Sequence, residues 1–453
     1  MSTVNSIDLH YDAIVVGLGK TGLSCFRYLS NQGLSVAITD SRETPPELSK
    51  LKEEFESAPT YLGQINEEAL LASDQIILSP GISLDLKSIK LSIENNIPVF
   101  GDIELFCQEA KAPIIAISGS NGKSTVTTMV AEMTLSAGLK TYVGGNIGTP
   151  ALDLLDDTIP DLYVLELSSF QLETTFSLNA HASVVLNISP DHMDRYSSFH
   201  EYADAKKRIY LGQGFMVVNK DEEYFHSIID DSREIIYFTL TTPEEGNYGL
   251  IMHDKEIWLS HGSKKIINKN QLKIKGEHNI SNALAAMALA ETVNVPKDIM
   301  TSVLKEFVGL AHRCQLIKVI NDVGWYNDSK ATNVEACIAS IKGLSEHGNI
   351  ILIAGGDSKK ADLSCLHTII EKYVKKVFLL GLDANKLASV IGPDVEKEFV
   401  KNMNEAVAEA DKIAGSGDLV LLSPACSCLD MYMDYQQRGD AFISAVNALS
   451  NNV

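Results

Sequence analysis

The sequence predicts three consecutive α/β domains, each a mostly parallel sheet with loops gathered at the carboxyl ends of its strands. Three observations carry this expectation. Short runs rich in Ile, Val and Leu alternate with helix-period segments, the pattern of buried parallel strands and their crossover helices. Glycine loops of the phosphate-binding kind, at Gly17 and Gly119, each stand between such a strand and a helix. The 453 residues exceed what one hydrophobic core ordinarily organises.

The first unit is assigned residues 1–102. Ala13–Val16 reads as a short strand, and Gly17-Leu18-Gly19-Lys20-Thr21-Gly22 follows it directly, opening an amphipathic helix through about Gln32. A second strand, Val36–Thr39, ends at Asp40. The G-x-G-x-x-G spacing with an acid about 20 residues on describes a Rossmann-like βαβ unit. That geometry places a diphosphate on the helix end and a hydroxyl near Asp40, which a dinucleotide and a uridine diphosphate satisfy equally. The strand Gln75–Leu78 runs into Ser79-Pro80-Gly81-Ile82, a loop facing the same crevice.

The central unit, residues 103–309, follows a break near Gly101-Asp102. Ile114–Ile117 reads as a buried strand, Ser118 to Thr125 as a phosphate-binding loop, and Thr125 to about Ala137 as a helix. Gly119 and Gly122 let the backbone turn tightly and approach phosphate oxygens. The N–H groups of Ser120, Asn121 and their neighbours, with the helix N-terminus, offer donors to an anion. Lys123 can reach terminal phosphates, and Ser124 is placed to hold magnesium. The usual first glycine of a P-loop would fall at Ile117, so the loop here is G-x-x-G-K-S-T.

Gly144 to Gly148 reads as a second glycine-rich turn. Leu162–Glu166 is a strand ending in an acid, the position that meets the magnesium ion in P-loop proteins. The strand Val184–Ile188 leads into the polar cluster Ser189-Pro190-Asp191-His192-Met193-Asp194-Arg195-Tyr196. A helix from about His200 to Leu211 carries Lys206, Lys207 and Arg208, whose spacing alone describes a solvated face. Phe215 to Lys275 changes to short alternating runs, such as Tyr248–Met252 and Glu256–Leu259, read as a small β-rich extension. Gly276 to Asn282 opens an alanine-rich helix to about Glu291; His278, Asn279 and Asn282 at its start suit either helix capping or a ligand.

The third unit, residues 310–453, again alternates strands and helices. Strands are expected near Gly324–Asn327, Asn349–Ala354, Lys376–Leu380 and Asp418–Leu422, with polar clusters at Asn327–Asn333, Gly355–Lys359 and Ser423–Cys426. Three units with such strand ends imply a site built between domains.

Composition narrows the partners. Hydrophobic and charged contents of 45 % and 21 % are those of a soluble globular protein. A formal net charge of −21 argues against nucleic acid, while local loops can still bind anions. The seven cysteines show no paired zinc spacing, and Cys426-Ser427-Cys428 is too tight for one, so a reducing cytosol is expected. Met1 to Asp12 is polar, without the apolar stretch of a leader, and no apolar run is long enough to span a bilayer. The expectation is a cytoplasmic monomer with no membrane partner.

The motifs in this order resemble the Mur ligase family. The resemblance covers nearly the whole chain. It rests on the loop at Gly17, the Ser118–Thr125 loop, Gly144–Gly148, Glu166–Leu172, Asp191–Tyr196, the His278-Asn279/Asn282 pair, His312-Arg313, Asn327–Asn333 and Leu422–Cys426. It is strongest with the members that add D-glutamate to UDP-N-acetylmuramoyl-L-alanine by way of an acyl phosphate. It implies a Rossmann-like first domain holding the UDP of that substrate, ATP and Mg2+ on a P-loop ATPase-like central domain, and the amino acid on a Rossmann-like third. Lys20, Thr21, Asp40, Ser41 and Arg42 would be the uridine contacts, with Ser79 and Gly81 nearby and Asn146 and His192 at the reacting end. Gly119, Ser120, Asn121, Gly122, Lys123, Ser124 and Thr125 would hold the phosphates, and Asn279 and Asn282 the adenine. Arg313, Asp328, Lys330 and Thr332 would serve the nucleotide from across the domain gap.

Ser124 and Glu166 would hold one magnesium ion and His192 a second. Lys206, in Ala205-Lys206-Lys207-Arg208-Ile209-Tyr210, matches a lysine that family members carbamylate, which supplies the negative oxygen a magnesium ion prefers. D-glutamate would meet Thr332 and Lys359, with Leu429 and Tyr435 around it. Cys428 stands where the family commonly carries a serine donor; Ser427 or backbone N–H groups would then supply the bond. A sister ligase for another amino acid, or a folylpolyglutamate-type ligase, is the alternative. An NAD-dependent oxidoreductase would leave the P-loop idle.

Overall fold

The computed structural model describes residues 10–156, 158–230, 232–274, 276–344 and 348–449. The polar stretch read before His10, the Lys275 end of the expected extension and residues 450–453 lie outside them.

The described chain folds around three sheets. The first has five parallel strands in the order Thr60–Leu62, Val36–Asp40, Ala13–Val16, Ile76–Leu78, Val99–Phe100. Strand order reverses at Ala13–Val16, so the crevice at its carboxyl end is the natural ligand site of such a sheet. The glycine loop lies there, ahead of the helix Lys20–Asn31.

The second sheet has nine strands, running Lys264–Asn268, Glu256–His261, Tyr248–His253, Ile235–Phe238, Phe215–Asn219, Ala182–Val185, Ile114–Ser118, Leu162–Glu166, Thr141–Gly145. The expected β-rich extension continues the central sheet. Phe215–Asn219 and Ile235–Phe238 pair in parallel with the central strands, and only the last two pairings at that edge are antiparallel.

Ile114–Ser118 is buried on both faces, which explains its unbroken apolar run. Ile115 and Ile117 point into a core filled from the helices Lys123–Ser136 and Glu277–Thr292. Ile114 and Ala116 point into another, shared with Val15, Phe26 and Phe106, so the first sheet and the central sheet are packed through one apolar layer. That shared core fixes the two glycine loops relative to each other.

The third sheet has six strands: Gln315–Ile320, Val323–Asn327, Leu419–Leu422, Ile350–Gly355, Val374–Leu380, Glu396–Phe399. It is parallel except for its first pair, an antiparallel hairpin.

Some boundaries differ from the sequence reading. Gly144 and Gly145 close the strand Thr141–Gly145 rather than forming a turn. The expected strand Val184–Ile188 ends at Val185. The expected helix over His200–Leu211 is α-helical over Phe199–Lys207 and tightens to a 3-10 turn at Arg208–Tyr210. Gln315–Ile320 and Glu396–Phe399 went unread because as edge strands they expose much of their length.

Candidate active site

The first glycine loop is sterically committed. Gly17 has φ +94°, and a Cβ on Gly22 would overlap the Gly17 carbonyl oxygen. The Ser79 hydroxyl donates to that same carbonyl at 2.9 Å. Asp40, at the end of its strand, is buried and accepts the Leu18 N–H at 2.7 Å. It also takes the Arg42 N–H and Nε at 2.9 Å and Nη2 at 2.7 Å. Burial pushes this carboxyl up, and the Arg42 and Leu18 donors outweigh it, leaving it below the usual carboxylate range. Asp40 thus orients Arg42. A cavity of about 400 Å³ is lined by Lys20, Thr21, Asp40, Ser41, Arg42, Ser79 and Gly81, with Asn146 and Gln171 from the central sheet.

The second glycine loop opens on the centre of the molecule. Gly122, at φ +85°, caps the helix Lys123–Ser136, and a Cβ there would strike the Asn282 amide. Lys123 Nζ donates to the Gly119 and Ser120 carbonyls at 2.8 and 3.0 Å. Burial lowers its pKa, against the pull of Glu166. The loop is laced from within. The Ser120 N–H donates to the Asn187 carbonyl at 3.0 Å, and the Asn121 N–H to Asn187 Oδ1 at 2.8 Å. Ser120 Oγ meets the Tyr202 hydroxyl and the Ser189 N–H at 2.9 and 3.0 Å. These ties hold the loop open as a preformed cradle.

Glu166 closes its strand beside Gly145. Its Oε1 accepts from Asn146 Nδ2 at 2.7 Å, and its Oε2 is buried with no hydrogen-bond partner. His192 has φ 58°, which turns its imidazole against the Phe170 ring at 4.8 Å. Burial, helped by the Lys359, Lys123 and Lys206 charges and opposed by Asp191, pushes this ring down to about 4, so it is neutral near pH 7. Lys206 is 2 % exposed, and its Nζ donates to the Gly119 carbonyl at 2.9 Å. Burial first, and then Lys123, hold its pKa well below the ordinary lysine value.

The third sheet contributes the far wall. Arg313 Nη2 donates to Ser124 Oγ at 2.8 Å. Lys359 pairs with Asp191 at 3.4 Å, and Asn333 Nδ2 reaches Asp191 and Asn121 at 3.3 Å. The reaction cavity between these walls measures about 260 Å³. Lys123, Asn146, Glu166, His192, Lys206, Arg313, Lys330, Thr332 and Lys359 all line it. A second cavity of about 120 Å³ continues past Asn121, Gly122 and Thr125 to Asn279, Asn282, Arg313, Asp328 and Lys330. A larger cleft of about 810 Å³ lies away from these loops, beside Arg27 and Asp153, which pair with each other.

Known proteins share this arrangement. The sequence matches the Mur ligase MurD-like N-terminal domain over residues 11–101, the Mur ligase middle domain over 117–290 and the Mur ligase glutamate ligase domain over 312–426. A UDP-N-acetylmuramoylalanine--D-glutamate ligase of Nitrosococcus oceani is 47 % identical over 437 residues, covering 96 % of each chain. The Pseudomonas aeruginosa protein of that name is 46 % identical over 439 residues, covering 96 % of this chain and 98 % of its own. The chain belongs to the Mur ligase family.

Solved structures agree on the fold. A pseudomurein peptide ligase type C from Methanothermus fervidus superposes with TM-score 0.62 at 19 % identity, covering 97 % of this chain and 100 % of its own. The UDP-N-acetylmuramate-alanine ligase MurC of Thermotoga maritima gives 0.61 at 18 %, with the same coverage.

In this Mur ligase, the groups expected around the uridine line the first cavity. Of those expected around the ATP phosphates, Ser120, Asn121, Gly122, Lys123 and Thr125 line the reaction and nucleotide cavities, whereas Gly119 and Ser124 line neither. The helix Glu277–Thr292 has Gly276 at its N-cap, which offers no side-chain cap; Asn279 and Asn282 line the nucleotide cavity. Asp328 lines it too, but most of its acceptor capacity is spent. Oδ1 takes the Cys314 N–H at 3.0 Å, and Oδ2 takes the Ser340 and Ser423 hydroxyls at 2.5 and 2.8 Å. Burial raises this carboxyl to about 6. Lys330 stands 3.9 Å over the Tyr435 ring and is pushed down to about 8, chiefly by burial and then by Arg313.

The expected D-glutamate set divides. Thr332 and Lys359 line the reaction cavity, and Tyr435 reaches it only by carrying Lys330. Cys428 and Leu429 do not line it: the Cys428 thiol is buried, its carbonyl accepts the Met431 and Tyr432 N–H groups, and Leu429 is 71 % exposed. The sequence reading assigned no role to Asp191, Asn333, Phe170 or Tyr202, which line the cavity. Asp191 and Asn333 carried a signal, each lying in a polar cluster after a strand.

The oxygens of Glu166 and Ser124 suit a divalent cation, and the unpartnered Glu166 Oε2 is a ligand atom in waiting. Among the described residues, a group of three His, Cys or acidic side chains close enough to cage a metal by themselves occurs at His10, Asp12 and Asp74, on the first unit's surface.

Proposed function

We propose that this chain joins D-glutamate to UDP-N-acetylmuramoyl-L-alanine at the expense of ATP, releasing ADP and phosphate, in the synthesis of the peptidoglycan precursor. The observation that carries this reading is the meeting of two glycine-loop cavities at Asn146, which lines both. A substrate with a nucleotide at one end and a carboxylate at the other spans that gap and meets the P-loop. The names of relatives at 45 to 47 % identity support D-glutamate as the amino acid.

The assignment of domains follows. Residues 1–102 hold the uridine diphosphate, 103–309 the ATP, and 310–453 the amino acid. Seven free cysteines suit a reducing cytoplasm.

A carboxylate is a poor electrophile and must be activated. One substrate carboxylate oxygen attacks the γ-phosphorus of ATP, ADP leaves, and an acyl phosphate forms. The D-glutamate amine then attacks the acyl carbon and loses a proton, the carbon–oxygen bond to phosphate breaks, and the amide remains. Catalysis of such transfers is mostly positioning and charge neutralisation. Lys123 neutralises γ-phosphate charge from within the loop, while Arg313 and Lys330 do so from the third domain. Asn279 and Asn282 take the adenine end. Asn146 and the neutral His192 orient the reacting end, and Thr332 and Lys359 hold the carboxylates of D-glutamate.

Ser124, Glu166, His192 and a carbamylated Lys206 would hold Mg2+, which supplies Lewis-acid stabilisation of the transferring phosphoryl group. Lys206 is suited to the modification because burial holds its pKa well below the ordinary lysine value, which favours the uncharged amine that adds carbon dioxide.

Phosphate release from ATP tests the reading, with UDP-N-acetylmuramoyl-L-alanine and D-glutamate, L-glutamate, meso-diaminopimelate, L-lysine or no amino acid. Release that depends on both the nucleotide and D-glutamate is expected. Release with another amino acid instead would make this a sister ligase.

A further inference from the structure

A short segment, Ser168 to Gln171, forms the wall between the two substrate cavities. Ser168, Ser169 and Phe170 line the reaction cavity, and Gln171 lines the uridine cavity. Glu166 lies two residues upstream. The shape of this turn therefore sets how the two halves of the substrate are presented.

The turn is built as a reciprocal cap. Gln171 N–H donates to Ser168 Oγ at 3.2 Å, and Gln171 Oε1 accepts the Ser168 N–H at 3.1 Å. That cap requires the Gln171 amide to face one way, with oxygen toward Ser168 and nitrogen away. What enforces the orientation is Asp102, distant in sequence and 2 % exposed: its Oδ2 accepts Gln171 Nε2 at 2.9 Å. An ionised carboxylate can only accept. A reversed amide would set oxygen against oxygen at Asp102 and nitrogen against the Ser168 N–H.

Asp102 belongs to the first turn of the helix Asp102–Glu109, where the chain leaves the first domain. The same turn also holds the chain that follows the wall. The Gly101 N–H donates to the Thr174 carbonyl at 3.2 Å, and Glu104 Oε2 accepts the Phe176 and Ser177 N–H groups at 2.6 and 2.9 Å. Asp102 Oδ1 is buried without a hydrogen-bond partner. Burial raises the carboxyl to about 6, which still leaves it ionised near pH 7.5.

We propose that Asp102 is a positioning residue for the ligase reaction, acting through the Gln171 amide to set the Ser168–Gln171 turn against both substrate cavities. This rests on the ligase reading above. It assigns a reaction role to a residue at the domain junction that touches neither substrate.

The test is steady-state kinetics of D-glutamate-dependent phosphate release by the full chain, for wild type, D102A, Q171A and D102A/Q171A. D102A is expected to lose about 10- to 100-fold in kcat/KM for UDP-N-acetylmuramoyl-L-alanine, with the KM for ATP unchanged within about twofold. The double variant is expected to be no worse than Q171A. Losses that multiply, or that fall equally on ATP, would make Asp102 a structural residue and overturn the proposal.

If D102A fails to fold, the swap D102N/Q171E decides. Q171E alone sets two carboxylates together and should be nearly inactive. D102N restores a donor beside Glu at 171 and should recover at least about tenfold. No recovery overturns the proposal. A wild type that releases no phosphate with D-glutamate overturns the ligase reading itself, and this inference with it; wild-type turnover with multiplying losses overturns this inference alone.

Discussion

Replacing Lys206 with alanine should separate its chemistry from its packing. The side chain is buried, with Nζ 2.9 Å from the Gly119 carbonyl, 3.4 Å from Ser118 Oγ and 4.8 Å from the centre of the Tyr202 ring. Three methylenes leave the core in Lys206→Ala, worth roughly 2–3 kcal/mol of stability at about 0.8 kcal/mol each. The larger effect is on rate. Removing an outer partner of a metal site costs about 10- to 100-fold, so removing a ligand should cost at least about 100-fold, or roughly 2.7 kcal/mol. The vacated space would admit a small carboxylate in place of the proposed carbamate. Phosphate release by Lys206→Ala, at fixed ionic strength with and without acetate or formate, should fall as stated and recover about tenfold with the added carboxylate. Lys206→Arg keeps a cation that adds no carbon dioxide and should stay inactive. Carbon-13 NMR under labelled carbon dioxide should show a carbamate signal in wild type and none in either variant. Full activity of Lys206→Ala without carboxylate would refute the reasoning.

Gly22→Ala forces a Cβ onto the Gly17 carbonyl oxygen, so the loop must shift; kcat/KM for the UDP substrate should drop by about 100-fold while the KM for ATP holds. Lys359→Ala should raise the KM for D-glutamate by roughly 10- to 100-fold, the worth of a hydrogen bond to a charged group, whereas Cys428→Ser should leave it within about twofold, because Cys428 lies off the cavity. Asp328 gives a pH signature. Its carboxyl holds a proton to about 6 in the folded chain and to about 3.8 unfolded, so its contribution to stability is complete below about 3.8 and is lost as pH rises through 6. The melting temperature of Asp328→Asn relative to wild type should therefore rise between pH 4 and pH 7 and level off above; a difference that does not change with pH would contradict that burial.

Much of this site could be read from residue order, because glycine loops and strand-end acids are local signals. The strand Ile114–Ser118, its loop and Glu166 follow from an apolar run, two glycines with positive φ and an acid at a strand end. Lys206 could not be read from spacing: three consecutive basic residues describe a solvated face, and only the tertiary fold buries the first of them beneath the phosphate loop. Asn279 and Asn282 sat where capping and ligand binding look alike in sequence, and the fold places both on the nucleotide cavity. Cys428 and Leu429 were placed by resemblance, and the turn at Cys428–Tyr432 carries Leu429 outward. Asp191 and Asn333 matter because they meet across two domains, a contact no local pattern encodes. The β-rich extension was legible from its short alternating runs, which describe strands well but do not say that they continue the central sheet.

The central claim is that the substrate carboxylate itself attacks the γ-phosphorus. UDP-N-acetylmuramoyl-L-alanine labelled with oxygen-18 in its terminal carboxylate tests this directly, with D-glutamate and unlabelled ATP, by mass analysis of the released phosphate and of the nucleotide product. The account predicts one labelled oxygen in each phosphate released and a product that gains one glutamyl residue while keeping the other labelled oxygen in its new amide. Unlabelled phosphate, or release of AMP and pyrophosphate, would contradict it.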